Sequence, residues 1–312
     1  MSENNYIVEK ISKKFNDLTS IKISELNIAV ASPSRKAIEH RFYKMTCNQD
    51  HKTRTFFIKN ILNETEELIN FNEISKNYRD INTNNTAKLF SIMPEDKLII
   101  LEYLKNYKTT NLKQLRDKKN ITKILNFKKD FNKLPNLTNS NSVFSLIDHY
   151  LNYIKNNNIP NFNNDKFYIN SYNFIKKKFK NIDKDTSPCH IDNSSSNFMI
   201  NNNNDLKIID LDFCSNDDPL SDLGSFASEV CLFKNEINPI IEEYFGVFKQ
   251  NLANRCFIYS TLDDLKWGLY SFIFSKISER NHIEFMKYAN WRFLSCNQKL
   301  LNYDLGEIIE NI

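Results

Sequence analysis

Asp192, Asn197, Asp210 and Asp212 are the residues of this chain whose types and spacing most resemble reactive machinery. Phe198-Met199-Ile200 and Leu206-Lys207-Ile208-Ile209 are short apolar runs around the polar stretch Asn201 to Asp205. That pattern predicts a β-hairpin. Antiparallel pairing sets the residues before the first strand beside those after the second, so Asp192 and Asn197 fall near Asp210 and Asp212. Carboxylates and an amide converging at one end of a hairpin form a hard, oxygen-rich site of the kind that suits Mg²⁺. Asp210 follows an apolar strand, where an unpartnered carboxylate is costly; a bound metal removes that cost.

The spelling His190-x-Asp192-x-x-x-x-Asn197, followed by Ile209-Asp210-Leu211-Asp212, resembles the catalytic and metal-binding loops of kinase-fold phosphotransferases. Protein kinases write these as H-R-D-x-x-x-x-N and D-F-G. With Asp210-Leu211-Asp212 in place of D-F-G, the chain is similar to the small-molecule branch, the aminoglycoside phosphotransferases and choline/ethanolamine kinases. Asn216-Asp217-Asp218-Pro219 and Asp222-Leu223-Gly224 narrow the resemblance towards choline/ethanolamine kinases, bacterial choline kinases included. It implies Asp192 as the base that takes or orients the proton of the attacking hydroxyl. It implies Asn197 and Asp210 as ligands of Mg²⁺ on the phosphates of ATP. Asp212, where the family usually has Glu, would bind a second ion or hold a metal-bound water. His190 is expected to hold the loop backbone. Asp222 is expected to brace the catalytic loop, with the N-cap of the following helix as its plainer role, and Glu229 to face the substrate cation.

The same resemblance extends to other parts of the chain. Lys59, at the end of Phe56-Phe57-Ile58, matches the cation that contacts ATP phosphates. Glu67 of the next helix is its expected ion-pair partner, with Glu66 and Glu73 as alternatives. Glu102 and Tyr103 fall where the family's hinge presents backbone to adenine. The phosphate loop is expected at Ala31 to Lys36, and no glycine precedes Gly224, so Ser34 and Arg35 would act there through side chains. Trp267, Tyr270 and Phe274 share one helical face, and Tyr288-Ala289-Asn290-Trp291-Arg292 resembles the family's Y-A-x-x-R. In choline kinases, aromatic residues at matching positions enclose the trimethylammonium group by cation–π attraction; Trp267, Tyr270 and Tyr288 take that role here, and Arg292 supports the fold.

The resemblance implies a two-lobed, protein-kinase-like α+β fold, and the order of the expected elements agrees with it. A small β-rich lobe spans 1–104 and a larger, mainly helical lobe spans 105–312. Strands are expected at 26–30, 40–45, 55–59, 87–92 and 97–103, with one helix from Asn63 to Tyr78 opened by an Asn63-x-x-Glu66 capping box. The chain has 312 residues, 41% hydrophobic and 26% charged, enough for two lobes sharing a cleft. A net charge of +4 is too mild for a nucleic-acid binder, and Lys176-Lys177-Lys178 reads as a solvated helix face. The 6 cysteines lack metal or disulfide spacing. The start has no apolar signal region and no run reaches membrane-spanning length, so a cytoplasmic protein is expected. The expected reaction moves the γ-phosphoryl group of MgATP to the hydroxyl of choline or ethanolamine, a small amino alcohol being the partner. Alternatives are a kinase for thiamine, an aminoglycoside or a sugar, and an inactive kinase-like binding protein.

Overall fold

Period-two alternation in the first hundred residues builds a sheet with two unlike faces. The computed structural model describes residues 3–26, 40–280 and 283–312. Helix α1 (Glu3–Lys14) leads into β1 (Thr19–Glu25), β2 (His40–Gln49) and β3 (Lys52–Ile61); α2 (Phe71–Asp80) precedes β4 (Leu89–Met93) and β5 (Leu98–Glu102). These strands form one antiparallel sheet in the order β1-β2-β3-β5-β4. Side chains alternate across a strand. Tyr43, Met45 and Cys47 therefore share one face with Phe56, Ile58, Leu98 and Ile100, and Ile7 and Ile11 of α1 cover it. Across the β2–β3 ladder, Phe42 lies opposite Lys59 and His40 opposite Ile61. His40, Phe42 and Lys59 thus look the other way, towards the rest of the chain.

Some boundaries differ from expectation. The expected strand at 26–30 and the phosphate loop with Ser34 and Arg35 fall, apart from Leu26, outside the described residues. The helix expected from Asn63 starts later: Asn63–Thr65 is a 3-10 turn, and α2 begins after Asn70. Asn70 caps it, its side-chain oxygen accepting the N–H groups of Asn72 and Glu73. Asn63 instead gives its side-chain oxygen to Lys97 Nζ at 2.9 Å, so no capping box forms there.

After residue 104 the chain runs through β6 (Tyr107–Thr109), α3 (Leu112–Leu115), α4 (Lys118–Phe131), α5 (Val143–Asn156) and α6 (Asp165–Phe179). The short strands β7 (Ser187–Cys189), β8 (Phe198–Asn201), β9 (Leu206–Ile208) and β10 (Ser215–Asp217) follow, then α7 (Pro219–Val230), α8 (Asn238–Phe245), α9 (Gln250–Ile277), α10 (Phe285–Asn302) and α11 (Leu305–Glu310). The predicted hairpin is β8–β9, with Phe198 opposite Ile208 and Ile200 opposite Leu206. β6 adds a third strand to it, and β7 pairs with β10. Helix α9 is buried on all sides over most of its length, the mark of a core helix. α7 lies so close to it that a Cβ on Gly224 would stand 2.5 Å from Tyr259 Cβ. Only glycine permits that approach, which brings Asp222 against the loop at His190 to Asn193.

Candidate active site

The loop from His190 to Asn197 is held by α7 and α4. The Asp222 carboxylate accepts N–H groups from Ile191 (3.0 Å) and His190 (3.4 Å), the Asn193 side-chain amide (2.9 Å) and Lys128 Nζ (2.6 Å). Burial alone would push the Asp222 carboxyl up, but the Lys128 ammonium and the other donors outweigh it and hold the carboxyl below its usual range. Ile191 sits at φ 65°, a costly conformation for a β-branched residue. Its N–H goes to Asp222 and its carbonyl accepts the Ser225 hydroxyl at 2.6 Å, so both ends of the strained peptide unit are tied down. The N-cap of α7 is Asp218, which leaves Asp222 to the loop. His190 is buried, with Nε2 3.1 Å from the Ile209 carbonyl oxygen. Burial first, and then Lys128, keeps its imidazole below the usual pKa.

Asp192 is buried, and its Oδ1 accepts the Ser194 N–H at 3.4 Å. Asn197 donates through Nδ2 to the Asp192 carbonyl (3.2 Å), and its own carbonyl accepts the Ile209 N–H (2.9 Å). The hairpin thereby sets the Asp192–Asn197 loop against the segment that begins at Asp210, as the spacing predicts.

Asp210 and Asp212 converge on Lys59, whose Nζ lies 2.7 Å from Asp210 Oδ1 and 2.6 Å from Asp212 Oδ1. Lys59 is 2% exposed. Burial works to lower its pKa, but Asp210 and Asp212 outweigh it and drive the ammonium well above its usual value. The expected partner Glu67 is elsewhere: it lies in the turn before α2, exposed, beside the Tyr153 hydroxyl. The late start of α2 explains this correction, because the helix faces Lys59 with Tyr78, whose hydroxyl is 3.3 Å from Nζ. The same hydroxyl accepts the Leu211 N–H, and Asn77 donates to the carbonyls of Leu211 (2.9 Å) and Cys214 (2.7 Å). Helix α2 thus clamps the segment that carries both aspartates. On the other side of Asp212, Oδ2 lies 2.6 Å from His40 Nε2. Two carboxylates already meeting on one buried cation are a donor set that fits a divalent ion, so Asp210 and Asp212 could hold the implied Mg²⁺.

Further along α7, Glu229 accepts the Ser195 N–H at 3.0 Å and lies 3.8 Å from Arg292. Burial pushes its carboxyl up, against the pull of Arg292 and Ser195. Arg292 is also paired with Asp263 (2.7 Å) and Asp264 (2.9 Å), which ties α10 to α9. Trp267 and Tyr270 are buried on α9, with ring centroids 5.6 Å apart, and Tyr270 lies 4.9 Å from Phe274. Phe213, next to Asp212, packs edge-on against Trp267 at 5.0 Å and Tyr270 at 5.9 Å. Tyr288 is buried on α10, one helical turn before Arg292. Glu102 ends β5, exposed, and accepts the Lys88 N–H (3.3 Å).

No protein-family model matches the chain, and no curated protein matches it in sequence. Solved structures do match. The choline kinase LicA from Streptococcus pneumoniae superposes with a TM-score of 0.74 at 19% identity, over 96% of this chain and 99% of that one. The Plasmodium vivax ethanolamine kinase gives a TM-score of 0.73 at 16% identity, over 93% and 86%. An aminoglycoside phosphotransferase solved with ADP and hygromycin B gives 0.60 at 11%, over 100% and 99%. The chain has their two-lobed, protein-kinase-like fold.

Within this kinase-like fold, several residues that shape the site escape a reading of the sequence. Lys128 follows Ile121, Ile124 and Leu125 on the apolar stripe of α4, and a lysine on such a stripe is the signal that could have found it. His40 and Asn77 carry no comparable local mark. Phe213 is signalled by its place one residue after Asp212.

Proposed function

We propose that the chain is an ATP-dependent small-molecule kinase of the choline/ethanolamine kinase family that phosphorylates the hydroxyl of choline or ethanolamine. The observation that carries this reading is the meeting of Asp210 and Asp212 on Lys59, beside a loop whose backbone Asp222 braces. The nucleotide lies between 1–104 and 105–312, with the backbone at Glu102 and Tyr103 against adenine. Lys59 contacts its phosphates, and Ser34, outside the described residues, is the proposed second contact. For this, Lys59 releases one of its carboxylates.

In the reaction the alcohol oxygen bonds to the γ-phosphorus as the bond from phosphorus to the β–γ bridging oxygen breaks, and ADP leaves. The hydroxyl proton passes to the Asp192 carboxylate. Phosphoryl transfer of this kind demands positioning and charge more than a strong base. Asn197, Asp210 and Asp212 would hold Mg²⁺, which would supply positive charge to the phosphate oxygens. Trp267, Tyr270 and Tyr288 receive the cationic head by cation–π attraction, with Glu229 orienting the amine. Phe213 supports this placement, since it links the aspartate segment directly to the aromatic cluster.

The test is ADP release from purified protein with MgATP and, in turn, choline, ethanolamine, thiamine and kanamycin. Turnover with choline or ethanolamine, lost in Asp192→Asn, is the expected result. Turnover only with thiamine or kanamycin would keep the transfer chemistry and overturn the acceptor. Folded protein that binds MgATP but is silent with all four would overturn the enzymatic reading.

A further inference from the structure

His40 brings a nitrogen donor to a centre that otherwise consists of oxygen. It opens β2, is 2% exposed, and shares the inward face of the sheet with Lys59. One donor atom from each of His40, Asp210 and Asp212 lies within 4.8 Å of the others. Asp212 is shared, with Oδ2 towards His40 at 2.6 Å and Oδ1 towards Lys59 at 2.6 Å. The Lys59 ammonium therefore occupies a point to which both carboxylates converge. Asp210 and Asp212 share the Lys59 ammonium and the His40 imidazole in a largely buried place, where carboxylate charge is costly to desolvate and a dication is attracted.

We propose that His40, Asp210 and Asp212 form a binding site for a first-row transition dication, Mn²⁺ in preference to Mg²⁺, and that Lys59 is the internal cation that holds the two aspartates when no metal is bound. Imidazole suits transition ions, whereas Mg²⁺ favours oxygen donors and water; Mn²⁺ accepts both kinds. Cis donors around an ion with bonds of about 2.1 Å stand about 3 Å apart. The His40–Asp212 pair needs to open by only a few tenths of an ångström to reach that spacing. The larger adjustment is at Lys59, whose ammonium must leave the point between the two carboxylates.

The inference rests on the phosphotransferase reading for the meaning of the site. Its test uses nucleotide-free protein and no acceptor, so the two fail separately. Mn²⁺ binding is followed by electron paramagnetic resonance on wild type, Lys59→Met, His40→Ala and Lys59→Met/His40→Ala, each shown to be folded by circular dichroism. Protein labelled with ¹⁵N-histidine reports, by spin-echo modulation, whether an imidazole nitrogen is bound to the ion. Lys59→Met is expected to bind Mn²⁺ at least ten-fold tighter than wild type, at least ten-fold tighter than it binds Mg²⁺, and with histidine nitrogen coupling. Adding His40→Ala should remove the coupling and bring the two ions within about three-fold. Mn²⁺ bound without histidine coupling, an unchanged Mn²⁺ to Mg²⁺ ratio in the double variant, or no Mn²⁺ binding by Lys59→Met would each overturn the proposal. If the His40 variants do not fold, the labelled Lys59→Met spectrum decides alone.

Discussion

Asp222 shows how one buried charge can organise a loop. It has no exposure of consequence, yet two backbone N–H groups, an amide and the Lys128 ammonium all converge on it. Removing one partner of such a pair leaves the other charge buried, at a cost of about 3–5 kcal/mol. Lys128→Met should therefore lower stability by that order in urea unfolding and reduce kcat more than it changes the KM for ATP. A loss below about 1 kcal/mol would show that Lys128 is dispensable. Asp217 gives a prediction with a pH sign. Burial raises its carboxyl from 3.8 to about 6. The folded state therefore holds the proton more tightly than the unfolded chain, an advantage that is full below about 3.8 and lost as pH rises through 6. Above pH 6 the protein carries a buried carboxylate, and Asp217→Asn removes it while an oxygen remains for the Asp218 N–H at 2.8 Å. Asp217→Asn should melt about 3 °C above wild type at pH 8, from roughly 2 kcal/mol, with the gap narrowing towards pH 4. Equal shifts at both pH values would contradict the assignment.

At the level of elements, the hairpin and its flanking carboxylates were legible because all their determinants lie within about twenty residues. Apolar runs set β8 and β9, and the antiparallel ladder then fixed what lies beside what. The start of α2 is ambiguous in the sequence because Asn63 and Asn70 both head plausible caps; only the long-range contact of Asn63 with Lys97 separates them. The edge strand β1 leaves little mark in the sequence, since it exposes most of its residues. The pairs that assemble the site lie further beyond local pattern: His40 to Asp212 spans 172 residues and Asn77 to Cys214 spans 137. Close packing of α7 on α9 is the element-level feature most open to test. A methyl group at Gly224 would meet Tyr259 Cβ at 2.5 Å and the backbone of Cys256 and Ser260 at 2.9 Å, where backbone cannot yield cheaply. Gly224→Ala should cost about 1–3 kcal/mol and, by lifting Asp222 from the loop, reduce turnover beyond what the stability loss explains. Wild-type activity in a folded Gly224→Ala protein would show that the loop does not depend on this approach.

Across the whole molecule, the sheet face with His40, Phe42 and Lys59 and the helical part with its hairpin meet around the two aspartates. The aromatic cluster on α9 begins one residue away, at Phe213. No helix among the described residues is long and apolar enough to cross a membrane. In the proposed function the nucleotide and the acceptor lie apart, so substitutions in the cluster should act on one substrate alone. Trp267→Leu keeps an apolar filler and removes the π face, a loss of roughly 0.5–2 kcal/mol of cation–π attraction. The KM for choline should rise about 2- to 30-fold with the KM for ATP unchanged; parallel changes in both would place Trp267 in the core alone. The central claim, transfer of the γ-phosphoryl group to an amino alcohol, is tested most directly by ³¹P NMR of wild-type protein with MgATP and choline. A phosphomonoester resonance growing in step with ADP, and missing with Asp192→Asn, is the predicted result. ATP that stays intact with choline and with ethanolamine, in a folded protein shown to bind MgATP, would contradict it.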